Sequence, residues 1–258
     1  MTAKKDEKET IKEKIRKTFS LSEDSASNEE IRSRLLDGGK VTGTNMCVLV
    51  CAMVIASVGL NVGSTAVIIG AMLISPLMGS ILAFAYASVA NDYSLFRKHT
   101  AGFGIQIAIS VTAAMIYFLL TPIKDPTVEL IARTSPNFFD VLIAFFGGLA
   151  GIIGQTRQDK ANTVIPGVAI ATALMPPLCT CGYSIANGRW DMLLGAGYLF
   201  IINTYFIFLS ASIIMSVLKI PKTRKLTEKE WRRRRWRMIR NTIIIMIPSI
   251  AAVYYMML

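Results

Sequence analysis

Long apolar runs separated by short polar turns fill the chain from about residue 44 to its end, whereas the first 43 residues are polar. The runs cover roughly 45–60, 65–90, 102–120, 138–155, 162–185, 192–218 and 241–256. Most approach the ~20 apolar residues that a helix needs to cross a hydrocarbon core. The pattern predicts an all-α integral membrane protein with about seven transmembrane helices. In the polar preface, 1–43, the spacing of Ile11, Ile15 and Phe19 predicts a helix over Lys4–Lys17 with a narrow apolar stripe. A second short helix is predicted from Asn28 to Leu36, with Ser27 and Glu30 as a capping box and Gly38-Gly39 as its stop. Acids mixed among the bases favour a solvated tail over a membrane-docking segment.

Two of the apolar runs carry residues that interrupt helices. Val67–Gly79 reads V-I-I-G-A-M-L-I-S-P-L-M-G, and Val168–Leu178 reads V-A-I-A-T-A-L-M-P-P-L. Aligned without gaps they agree at Val67/Val168, Ile69/Ile170, Leu73/Leu174, Pro76/Pro177 and Leu77/Leu178, and Asn61 and Asn162 precede them at the same offset. Proline removes a backbone donor and frees a carbonyl, which lipid does not satisfy, so each break is expected to face protein or a wet cavity. Repeats of three crossings, about 44–121 and 138–218, must lie inverted relative to one another. This is the plan of transporters whose broken helices meet near the midplane. The basic segment 219–240 and a final helix in 241–258 stand outside the repeat.

Charge then sets the orientation. The net charge of +11 comes from 28 Lys and Arg, of which ten precede residue 44 and eleven lie between Lys219 and Arg240. With a cytoplasmic amino terminus, 25 fall inside and only Lys124, Arg133 and Arg189 outside, as the positive-inside rule requires. The basic excess is therefore a topology signal and argues against nucleic acid as a partner. No apolar core near Met1 predicts a secretory signal, so the amino terminus is expected in the cytoplasm and the carboxyl terminus outside, in the cell membrane.

The chemistry available is narrow. His99 is the only histidine, and Cys47, Cys51, Cys179 and Cys181 lack the ligand spacing of a metal site, so they read as small buried thiols. Neither a nucleophile–base pair nor a phosphate loop is present; no enzyme activity, metal or cofactor is expected. Half-helix ends hold polar solutes through backbone and dipole. Candidate pathway residues are Ser64, Thr65, Gly70, Ser75 and Pro76 from the first motif, and Asn162, Thr163, Thr172, Pro176 and Pro177 from the second. Asn203 and Gln155 are polar neighbours. For each residue alone, helix packing or a hydroxyl bonded back to its own helix is the competing reading. In K-E-W-R-R-R-R-W-R, Trp231, Arg232, Arg233, Arg234, Arg235, Trp236 and Arg237 are placed to meet anionic lipid headgroups, behind a Thr227/Glu230 capping box. Small-residue faces in the fourth and sixth spans suit close helix packing or a homo-oligomer. These features predict a transporter or channel for a small solute or ion; a non-transporting lipid-binding or assembly protein is the alternative.

The motif I-I-G-A-M-L-I-S-P-L-M-G at 68–79, with Gly59-Leu60 and Ser64 before it and G-V-A-I-A-T-A-L-M-P-P-L at 167–178, resembles the uncharacterised hydrophobic-domain family, domain of unknown function 389. The resemblance covers about residues 45 to 215, and Asn203 falls where that family tends to carry Asn. Ser80 departs from it, since the family pattern implies Pro after Gly79. The resemblance implies a prokaryotic integral membrane protein and carries no activity with it.

Overall fold

The computed structural model describes residues 25–158, 174–224 and 226–257, with side chains in the last helix described to residue 248. The helix expected over Lys4–Lys17, and Asn162, Thr163, Pro166 and Thr172, lie outside the described residues. Within them the fold is helical, with a single isolated bridge between Ser25 and Arg157. The helices are α1 (Asn28–Gly38), α2 (Gly43–Asn61), α3 (Thr65–Ile74), α4 (Leu77–Val89), α5 (Tyr93–Leu120), α6 (Val128–Ile131), α7 (Phe138–Thr156), α8 (Met175–Ala186), α9 (Trp190–Val217) and α10 (Glu228–Met257).

Four of them, α2, α5, α7 and α9, are long and apolar enough to cross a membrane, and the bent pair α3–α4 passes as a fifth when taken together. Their outward faces are apolar: Ile55, Ile105, Phe146, Leu194 and Ile201 are exposed. Buried polar groups instead gather inside, among them Ser80, Gln106, Ser110, Thr180 and Asn203. That inside-out distribution suits lipid as the surrounding solvent, because a patch of this kind in water would drive association.

Two stretches differ from the pattern read in the sequence. The polar loop expected over 91–100 is mostly the first turns of α5, which starts at Tyr93 because Asp92 accepts a hydrogen bond from Leu95 N at 2.9 Å. The basic residues after Glu228 and the last apolar run form one continuous helix, α10, with Pro248 inside it. Its start is fixed by a reciprocal cap: Thr227 N donates to Glu230 Oε2 at 2.9 Å, and Glu230 N to Thr227 Oγ1 at 3.4 Å. Both groups share in holding the Glu230 carboxyl below its usual pKa: the backbone N–H of Thr227 first, then its hydroxyl.

The short helices α4 and α8 form the middle of the molecule and are almost wholly buried. Phe84 of α4 packs on Phe103 of α5 and Phe208 of α9, each at 5.5 Å between ring centres, and Phe103 stacks on Phe200 of α9 at 6.0 Å. Helices α7 and α9 touch backbone to backbone at Gly148, where a Cβ would lie 2.8 Å from Ile207 Cα. Cys179 and Cys181 are buried, whereas Cys47 and Cys51 are exposed on α2, so only two of the four thiols are core groups.

The end of the polar preface is not a solvated tail in the structure. Ile31 and Leu35 of α1 are buried, and Ser27 caps the helix by accepting from Glu30 N at 3.2 Å. Gly38 lies against Gly79 of α4 so closely that a Cβ on Gly79 would sit 2.2 Å from Gly38 O. At the other end, Ala26 N donates to Thr156 O at 2.8 Å, and Arg34 Nη1 donates to Arg157 O at 2.6 Å. Two apolar side chains, Ile31 and Leu35, together with these backbone contacts seat α1 across α4 and the end of α7.

Candidate functional site

Helix α3 stops at Ile74 and α4 starts at Leu77, with 44° between them. Pro76 supplies no N–H to the ladder, and a residue before proline avoids the helical region, so Ser75 is extended at ψ 131°. Ser75 mends part of the damage itself: its N–H donates to Met72 O at 3.3 Å, and its hydroxyl accepts from Leu77 N at 3.4 Å. Ser75 and Pro76 are half-buried, so the break is neither lipid-facing nor sealed.

One turn into α4, the buried Ser80 hydroxyl donates to Gln106 Oε1 of α5 at 2.9 Å. Gln106 Nε2 is buried without a hydrogen-bond partner among the described residues, and so is the hydroxyl of Ser110, one turn further along the same face of α5. Leaving such groups unpaired costs about 1–3 kcal/mol each. None of the three is among the pathway residues expected from the sequence, where Ser80 stands out only as a departure from the family pattern. A lone Gln four residues before a Ser, within an otherwise apolar run, was the signal available.

The second motif reaches the same level of the molecule. Pro176 and Pro177 are buried in the first turn of α8, where the missing N–H groups would be unsatisfied in any helix. Gly182 packs on Ala114 and Met115 of α5, and Tyr183 lies 5.1 Å from Phe118 between ring centres. Helix α8 thus runs alongside α5 in the same direction, and two turns back its start at Met175 falls level with Ile107. Thr180 donates to Pro176 O at 2.9 Å and Ser184 to Thr180 O at 2.7 Å, so these hydroxyls are spent on their own helix. Asn203 is buried on α9 between Phe200 and Phe208, the rings that meet α5 and α4.

Other candidates stand apart. Ser64 and Thr65 lie at the far end of α3, about 15 Å of helix from the break. There Ser64 N donates to Gly59 O at 2.8 Å and Thr65 Oγ1 to Glu129 Oε1 at 2.9 Å. Gly70 is exposed, and a Cβ there would meet nothing within 4 Å among the described residues. Gln155 is half-buried near the end of α7, one residue before the carbonyl that Ala26 holds.

Of the basic cluster, Arg232, Arg233, Arg235, Arg237, Trp231 and Trp236 are exposed, with Arg235 5.5 Å from the Trp231 ring centre. Arg234 points inward instead, donating to Asn91 Oδ1 at 2.6 Å and Ser88 Oγ at 2.8 Å. It clamps α10 to the α4–α5 turn rather than presenting itself to headgroups. Partial burial, then the neighbouring Arg237, draws its pKa below the usual guanidinium value.

The model for the domain of unknown function DUF389 matches residues 72–209, more than half of the 258 residues. An uncharacterized protein of Methanocaldococcus jannaschii is 28% identical over 205 residues, covering 80% of this chain and 63% of the relative. The chain therefore spans just under two thirds of the length of that curated relative. No solved structure matches it. The matched region takes in the break at Ser75-Pro76, the Ser80–Gln106 pair, α8 and Asn203, and on this match the chain belongs to the DUF389 family.

Proposed function

We propose that the protein is a membrane transporter or channel for a small solute or ion, which passes between two interrupted helices near the bilayer midplane. One observation carries the reading: within a turn of the break the buried Gln106 Nε2, with the Ser110 hydroxyl beside it, lacks a partner among the described residues. A purely structural core in lipid would remove such groups, whereas a pathway uses them to replace the water shed by a passing solute.

Helix lengths support a three-plus-three inverted repeat. Helices α2 and α7 are both 19 residues long, α5 and α9 are both 28, and the buried α4 and α8 are 13 and 12. Helix α4 runs against α5 while α8 runs with it, the opposed sense that inversion demands. With α10 added, the arrangement amounts to seven crossings in the cell membrane of a prokaryote, the amino terminus cytoplasmic and the carboxyl terminus outside. The tight α7–α9 seam at Gly148 uses small residues internally, and other small-residue faces leave room for a homo-oligomer.

The test is flux in reconstituted vesicles, screened over small ions and neutral solutes. Wild type is expected to exceed empty vesicles for at least one species, and Gln106→Leu and Ser75→Ala to change that flux at equal folded yield. Absence of flux above empty vesicles across the screen, or a Gln106→Leu variant indistinguishable from wild type, ends the reading.

A further inference from the structure

We infer that the protein holds one anionic phospholipid in a groove between α9, α10 and the α4–α5 turn. The inference is independent of whether any solute crosses the membrane. The groove encloses about 1320 Å³, and its walls are apolar: Val89 of α4, Ile213 and Val217 of α9, and Met238 of α10. Its mouth carries Lys222, Arg232 and Arg235, with Glu228 as the one carboxylate among the lining residues. An apolar trough that opens through a cationic rim has the charge and polarity of a phosphodiester headgroup joined to acyl chains.

Ser212 gives a second and separate indication. It lines the groove, is 3% exposed, and its hydroxyl has no hydrogen-bond partner among the described residues. It sits five residues inside the end of α9 at Val217, which is about 7.5 Å along the helix axis. The interfacial layer of a bilayer is roughly 5–7 Å thick on each side. A phosphate at the Arg232–Arg235 rim therefore brings the glycerol oxygens of the same lipid down to the Ser212 hydroxyl.

The elements that form the groove are braced against one another. Arg234 fastens α10 to Asn91 and Ser88. Beside this clamp, Thr223 N donates to Ala90 O at 2.8 Å and Asn91 Nδ2 to Arg224 O at 2.9 Å. These bonds tie both the 223–224 segment and α10 to the α4–α5 turn and so fix their spacing. Arg233 and Arg237 line a second hollow with Lys229, Trp236 and the shared Arg232, and do not themselves line the groove. The basic cluster thus divides into a clamp, Arg234, a lipid rim, Arg232 and Arg235, and two exposed arginines outside the groove, Arg233 and Arg237.

The test uses the full chain in nanodiscs containing phosphatidylglycerol and phosphatidylcholine in equal amounts, with the retained lipid counted by native mass spectrometry. Wild type is expected to keep one phosphatidylglycerol per protomer. Arg232→Gln with Arg235→Gln should lower that retention about tenfold, and Ile213→Trp, which fills the trough without changing charge, should lower it likewise. Arg233→Gln with Arg237→Gln should leave it unchanged. Retention by wild type at the bulk lipid ratio overturns the inference without reference to any variant. So does an Ile213→Trp protein that keeps the lipid, because binding would then be surface charge alone.

Discussion

Gln106 and Ser80 respond oppositely to apolar substitution. Gln106→Leu removes the Nε2 group that has no partner among the described residues and keeps a similar volume. The Ser80 hydroxyl it leaves behind can turn back to the carbonyl of Pro76 four residues earlier, so the variant is close to neutral. Its unfolding midpoint in detergent is expected to equal or exceed wild type, while flux through the proposed pathway falls. Ser80→Ala does the reverse, for it strips Gln106 Oε1 of its donor and leaves the whole amide unpaired, at a cost of about 1–2 kcal/mol. A midpoint for Ser80→Ala at or above that of Gln106→Leu would show that the pair is not the polar centre described here. At this scale the prolines were legible in the sequence, since their effect on the backbone is local and independent of neighbours. Gln106 was not: its importance lies in having one partner across the α4–α5 contact and lacking another among the described residues, which only packing decides. Arg234 is the same case in reverse, one of four consecutive arginines that the turn of the helix aims inward.

Helices are where most of the sequence pattern survived into structure. The runs read as about 45–60 and 138–155 are α2 at Gly43–Asn61 and α7 at Phe138–Thr156, because an apolar run bounded by cap residues fixes its own ends. The start of α5 escaped because Arg97 and Lys98 suggested a loop, while the Asp92 cap allows a helix to project charged residues beyond the membrane. At α10 the reciprocal cap makes a pH prediction. Glu230's carboxyl is held below its usual value near 4.5, so the cap is intact above that value and is lost as pH falls through the depressed one. Amide protection at the first turn of α10, corrected for intrinsic exchange, should fall as pH drops below the usual glutamate value, and Glu230→Gln should remove that dependence. At the α7–α9 seam, Gly148→Ala places a methyl 2.1 Å from Ser210 Oγ and 2.8 Å from Ile207 Cα. Separating two helix backbones in this way is expected to cost about 1–3 kcal/mol, read as a lowered unfolding midpoint; an unchanged midpoint would mean the seam is looser than described.

For the whole molecule, the charge distribution makes the proposed orientation testable. In a cysteine-free version, an impermeant maleimide added to intact cells should label Arg189→Cys and not Arg233→Cys. Labelling of the second alone would invert the topology. The seating of α1 makes a further prediction: Gly79→Val drives a side chain into Gly38 O, where a Cβ alone already lies at 2.2 Å. Limited proteolysis within 38–42 should then become fast while the membrane core stays intact.

That same seating bears on how the protein is made. Arg34 reaches the carbonyl of Arg157, 123 residues later in the chain. At about 5–20 residues per second, the ribosome needs roughly 6–25 s to supply that carbonyl after Arg34 has been made. Throughout that interval α1 is finished but has only half of its berth, while α2 to α7 are being handed to the insertion machinery. The first described helix to be synthesised is thus among the last to be fastened, and its docking marks the assembly of both halves as complete.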